Sequence, residues 1–149
     1  MSMRCREIMR KHFESVAPDE SVAFAATRML DQKVGFLPVT TDDERVVGVV
    51  TDRDIVLRVC AAGLPADETL VRDAMTASVV ACRTEDDVEA AIETMAAHQK
   101  LRLLVLDDAD RLVGVISWTD IAQTEEPMRV ARLVRDVTAR EYRVRSVRP

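Results

Sequence analysis

Between residues 21 and 32, SVAFAATRMLDQ, the apolar positions Val22, Ala25, Ala26, Met29 and Leu30 recur three and four apart. That spacing gathers them on one helical face. DDVEAAIETMAAH (86–98) repeats the pattern with Val88, Ala91, Ile92 and Met95. A Ser or Asp near each start can accept from the unpaired N–H groups of a first turn. After each predicted helix comes a short apolar run, FLPV (36–39) or RLLVL (102–106). An acidic turn follows, TTDDER or DDADR, and then VVGVVT (46–51) or LVGVIS (112–117). These last runs are β-branched and lack polar alternation, which predicts buried strands. The turn between the runs predicts a hairpin-like connection. DRDIVLRVCAAG (52–63) reads as a helix ending at Gly63, and WTDIAQTEE (118–126) as its counterpart, stopped by Pro127.

The second set of elements is the first written again. Residues 71–122 laid over residues 5–56 without gaps give 14 identities in 52 positions, at a constant offset of 66. Chance pairing at ordinary residue frequencies gives roughly 3 or 4. The identities include Met9/Met75, Val22/Val88, Ala25/Ala91, Met29/Met95, Gly48/Gly114, Asp54/Asp120 and Ile55/Ile121. Each copy reads as short strand, helix, strand, strand, helix, an α/β unit. A unit of about fifty residues buries too little surface to be stable alone, so two copies sharing one core are expected.

Composition narrows the function classes. Apolar residues make up 48% and charged residues 32% of the 149 positions, as in a globular protein. Aromatics are only 3%, so the core must be aliphatic. No apolar run approaches the ~20 residues of a membrane span. The opening MSMRCREIMRKHFES has no signal-peptide core, so a soluble, cytoplasmic protein is expected. Cys5, Cys60 and Cys82 are an odd set without CxxC spacing, which predicts free thiols in a reducing compartment. His12 and His98 have no companion ligands at metal spacing. No P-loop, GxSxG or HExxH pattern is present. The acid pairs Asp42/Asp43 and Asp52/Asp54 fit a turn and a helix start. No catalysis is expected.

The repeated TDRD (51–54) and SWTD (117–120) admit two readings. Both fit [ST]-x-x-[DE], a capping box in which hydroxyl and carboxylate satisfy the first helical N–H groups. The same geometry also suits a nucleotide. A carboxylate can accept from two vicinal hydroxyls, as on ribose, and the Ser or Thr hydroxyl can donate to phosphate. Gly48 and Gly114 could permit close backbone approach. Arg53 adds a cation beside the first copy.

At these residues the chain resembles a known family. Each copy looks like a CBS motif, and the pair looks like a Bateman module, over residues 5 to about 125. The likeness rests on the Thr-x-x-Asp-Ile and Ser-x-x-Asp-Ile junctions, Leu-Pro-Val (37–39), the acidic turn, and the leads Arg-Glu-Ile-Met (6–9) and Arg-Asp-Ala-Met (72–75). The resemblance implies two tandem β-α-β-β-α motifs about a pseudo-twofold axis, with small sheets face to face and helices outside. It implies motifs at 1–68 and 69–126 and a basic tail at 127–149. It also implies clefts that take AMP, ADP, ATP or S-adenosylmethionine as a regulatory ligand, with no cofactor required. The first site would use Val16, Ala17, Phe36, Leu37, Pro38, Thr51, Arg53 and Asp54. The second would use Cys82, Arg102, Leu103, Ser117 and Asp120. A homodimer that signals to a separate partner protein is the implied working form, with a ligand-free dimerisation scaffold as the rival.

The two sites differ. LRLLV lacks the Pro of GFLPV, Thr119 stands where the first copy has Arg53, and Trp118 reads as packing. The first site is therefore expected to be the tighter. Charge is uneven as well. Residues 1–126 hold 14 Lys and Arg against 24 Asp and Glu, a net of −10. Residues 127–149 hold seven Arg against two acids, a net of +5. Pro127 opens a helix with a stripe of Met128, Ala131, Leu133, Val134 and Val137. This tail could pack on the acidic body or a partner subunit, fray into solvent, or contact an acidic partner. Nucleic acid is disfavoured by the acidic body and the lack of a recognition motif.

Overall fold

Helices and strands form where the apolar spacing puts them. The computed structural model describes residues 2–146. In chain order these are α1 (Cys5–Ile8), α2 (Val22–Gln32), β1 (Phe36–Thr40), β2 (Val46–Thr51) and α3 (Asp52–Ile55), which runs on as a π-helix over Val56–Cys60. Then come α4 (Val71–Ala74), β3 (Ala81–Arg83), α5 (Val88–His98), β4 (Arg102–Leu106), β5 (Leu112–Ser117), α6 (Trp118–Ala122) and α7 (Pro127–Ser146). The fold is the mixed α/β arrangement that the repeat predicts.

The two long helices of the repeats end alike, with Lys33 (φ 55) and Gln99 (φ 53) in the left-handed conformation. They begin differently. The Ser21 side chain accepts from the Phe24 N–H at 3.0 Å. Asp87 makes no such bond. Its Oδ1 accepts instead from Ser2 Oγ (2.6 Å) and Arg4 Nη1 (2.8 Å), so the expected cap is diverted to the chain's start. The helix expected over 52–63 changes type at Val56 and ends at Cys60, with Gly63 beyond it at φ 69. The widened turn carries Val59 into a small cluster with Val22 and Ala74.

β1 and β2 pair antiparallel, with Leu37 opposite Val50 and Val39 opposite Gly48. The other sheet runs β3–β4–β5, with β3 parallel to β4. The first copy's counterpart of β3 is one residue, Val16. Its N–H donates to Pro38 O (3.0 Å), and its carbonyl accepts from the Thr40 N–H (2.9 Å).

The chain divides into two compact units. One comprises residues 12–79 and 110–112, with Val16, Ala25, Met29, Leu37, Val39, Val50 and Val71 at its core. The other comprises residues 1–11, 80–109 and 113–149, with Val88, Ala91, Met95, Leu103, Val105, Ile116 and Ile121 at its core. Sequence order and packing part company at the leads. α1 packs in the unit built from the second repeat, and α4 in the unit built from the first.

Helix α7 adds to the second unit. Leu133 and Val137, one turn apart, are buried in its core. Arg129 pairs with Glu125 (2.9 Å) and with Glu89. The apolar stripe is narrower than expected, because Met128 is 77% exposed and Ala131 also faces solvent. Arg148 lies outside the described residues, and the side chains of Arg140, Arg143 and Arg145 lie outside those described. Among the described residues, no helix is long and apolar enough to cross a membrane.

Candidate functional site

In each unit the second hairpin strand ends on a hydroxyl residue and turns directly into a short helix. Thr51 keeps an extended backbone (φ −116, ψ 162), and Ser117 matches it (φ −114, ψ 163). The turn is pinned from the neighbouring strand's start. The Asp52 N–H donates to Gly35 O, and the Trp118 N–H to Leu101 O, each at 2.9 Å.

The capping box forms in both copies. In the first, the Asp54 N–H donates to Thr51 Oγ1 (3.1 Å) and the Thr51 N–H to Asp54 Oδ2 (3.0 Å). Thr51 thus spends a lone pair and keeps its proton. Asp54 Oδ1 has only long contacts, from Thr76 Oγ1 at 3.4 Å and Arg58 Nη2 at 3.6 Å. Arg58 is tied elsewhere, its Nη1 donating to Ala74 O and Met75 O at 2.9 Å each.

The second copy is closed more tightly. Asp120 Oδ2 accepts from the Ser117 N–H and from Ser117 Oγ, both at 2.8 Å. Ser117 Oγ also lies 2.6 Å from Thr119 Oγ1. Asp120 Oδ1 accepts from Arg10 Nε at 2.7 Å. The two carboxylates are equally sheltered, each side chain 12% exposed.

The lead segments deliver Thr76 and Arg10 to these carboxylates. Thr76 and Val49 exchange two backbone hydrogen bonds (2.8 and 2.9 Å), as do Arg10 and Val115 (2.9 and 3.1 Å). The methionine before each fills the space that the glycines leave. A Cβ at Gly48 would lie 2.8 Å from Met75 Sδ and 2.8 Å from Thr76 O. One at Gly114 would lie 2.6 Å from Met9 Sδ. The room expected for a ligand's approach is therefore occupied by the protein's own side chains.

Of the residues named for the first site, Val16, Leu37 and Pro38 are buried. Val16 and Leu37 belong to the apolar core and can offer little beyond backbone. Ala17, Phe36, Thr51 and Asp54 are half-buried, and Arg53 is exposed on the first turn of α3. The Arg53 guanidinium is bonded to no described residue. Of the second set, Cys82 and Leu103 are core residues, Ser117 and Asp120 are half-buried, and Arg102 is exposed. The neighbouring Cys5 thiol, with burial, pushes the Cys82 pKa well up, while Cys5 is drawn down by the Cys82 thiol. Trp118, expected to pack, is 36% exposed.

The structure thus joins Thr51, Arg53 and Asp54 at one junction, and Ser117, Thr119 and Asp120 at the other. It adds Thr76, Arg58 and Arg10, which sequence reasoning missed. A signal for two of them existed, since Arg10 and Thr76 are equivalent under the 66-residue offset, each just after the lead methionine. No group of three or more His, Cys, Asp or Glu able to hold a metal occurs among the described residues.

Comparison with known proteins bears on both junctions. The CBS domain family matches residues 5–60 and again residues 71–125. An uncharacterized protein of Methanopyrus kandleri is 27% identical over 124 residues, 83% of this chain and 63% of that protein. Inosine-5'-monophosphate dehydrogenase of Methanocaldococcus jannaschii is 31% identical over 126 residues, 85% of this chain but 24% of the enzyme. Hypoxic response protein 1 of Mycobacterium tuberculosis is 32% identical over 118 residues, 79% of this chain and 82% of that protein. The crystal structure of Hypoxic Response Protein I, with two coordinated zinc ions, superposes with a TM-score of 0.75 at 31% identity, covering 83% of this chain and 99% of that one.

Proposed function

The chain belongs to the CBS-domain family as a tandem pair, and from that premise we propose that it is a non-catalytic sensor of an adenosyl ligand. CBS-pair proteins are regulatory. The ligand class is AMP, ADP, ATP or S-adenosylmethionine, held through ribose by Asp54 with the Thr51 hydroxyl donating to phosphate. One observation carries this reading. Asp54 Oδ1 has no described contact shorter than 3.4 Å, although its side chain is only 12% exposed. A sheltered carboxylate oxygen with spare acceptor capacity, beside a hydroxyl that keeps its proton, suits a diol and an anion together. Ligand binding would act on a separate protein by population shift, limited by its differential affinity for two states.

A thermal-shift panel of the four ligands tests this. A ligand at about 100 times its dissociation constant adds ~2.7 kcal/mol to the folded state. The expected result is a rise in melting temperature with at least one ligand in the wild type, smaller in Asp54→Ala and abolished when Asp120→Ala is added. The formed capping boxes favour a second reading, a ligand-free scaffold. It predicts no rise with any ligand, and only the ~1 kcal/mol cap loss in Asp54→Asn.

A further inference from the structure

Resting on the adenosyl reading above, we propose that Arg10 sets the preference of the Asp120 site, selecting phosphorylated adenosyl ligands over neutral nucleosides. The two units carry the same two residue types in exchanged places. Around Asp54 the arginine is Arg53, on the helix and bonded to no described residue, and the lead supplies the neutral Thr76. Around Asp120 the helix carries Thr119, and the lead supplies Arg10, whose Nε sits 2.7 Å from the carboxylate.

The consequence follows from acceptor capacity. Asp120 Oδ2 already takes two hydrogen bonds from Ser117, so a ribose diol must compete with Arg10 for Oδ1. A neutral nucleoside would break a charge-assisted bond and return nothing to the guanidinium. A phosphorylated ligand offers that guanidinium a new anionic partner as it leaves the carboxylate. Arg10 is suited to the transfer. Its backbone is fixed on Val115 by two hydrogen bonds, its side chain is 63% exposed, and its Nη groups are bonded to no described residue. At Asp54 a ligand displaces no comparably close cation, so that carboxylate does not discriminate in this way.

Equilibrium dialysis with adenosine and with AMP reads the preference. Asp54→Ala silences the first site, and the ratio of the adenosine to the AMP dissociation constant is compared with and without Arg10→Thr. The ratio is expected to fall at least about tenfold, the scale of one charge-assisted hydrogen bond. The reciprocal Thr76→Arg change, in an Asp120→Ala chain, is expected to raise the ratio at the first site. Threonine is the residue that the first copy uses there, and a melting curve checks that each variant folds. Binding with an unchanged ratio in both exchanges overturns the role of Arg10 and leaves the adenosyl reading standing. Loss of all binding in Asp54→Ala, while the wild type binds, also overturns it. Absence of binding in the wild type overturns both.

Discussion

At Gly48 and Gly114 the neighbour of the missing Cβ decides what an added methyl costs. At Gly48 it would press on the backbone carbonyl of Thr76, which the Val49 N–H holds in place at 2.9 Å. At Gly114 its nearest neighbours are side-chain atoms of Met9, and methionine adjusts readily. Overpacking a tight site costs about 1–3 kcal/mol. Urea unfolding should therefore place Gly48→Ala in that range and Gly114→Ala below it. Equal losses would show that Met9 is as rigid as backbone. Both glycines and both methionines stand out in the sequence as repeat identities. What they do was not legible, because each contact joins residues far apart in the chain. The same holds for Cys5 and Cys82, which occupy the places of Val71 and Val16 in the other copy and read simply as small thiols.

Element boundaries were legible wherever one face is apolar. The spacing of Val22, Ala25, Ala26, Met29 and Leu30 marks α2, but only Val22, Ala25 and Met29 are buried, and Ala26 and Leu30 at the edge of the stripe face solvent. Periodicity could not reveal the π-helix at Val56–Cys60, because that depends on where Val59 must reach. In α7 it over-read the stripe, since Leu133 and Val137 suffice to dock the helix. Leu133→Ala should cost about 2–5 kcal/mol in chemical denaturation, as for other buried leucines. Met128→Ala, at a 77% exposed position, should stay within about 0.5 kcal/mol. If the two changes cost the same, the helix is not held by its buried pair.

Among the described residues, most of the large exposed apolar side chains lie in the unit of residues 12–79. Phe24, Leu30, Val34, Val56, Leu57 and Leu64 are 43–76% exposed there. Large apolar side chains left in water are candidates for an association surface. A second copy of the chain is the partner that the family resemblance implies, and we propose these residues as the contact. Light scattering after gel filtration should give a dimer for the wild type and a monomer for Leu30→Glu with Leu57→Glu. A wild-type monomer would overturn the homodimer that the family resemblance implies. The duplication itself was readable in the sequence, down to its offset. The exchange of leads was not, because the leads CREIMR and VRDAMT share their Arg and Met, and nothing in either marks which copy it packs with.

That exchange has a consequence for synthesis. Residues 1–11 are made about a hundred residues before their partners, since Arg10 pairs with Val115 and Met9 packs on Gly114. The unit they complete therefore stays open until almost everything else has been made. The unit of residues 12–79 draws α4 from the segment just behind it, and needs only residues 110–112 from further on. Translation thus lays down the nearly finished half while the opening segment waits unpaired. Residues 1–11 are made before the segments they pack with and find their place only after those have followed.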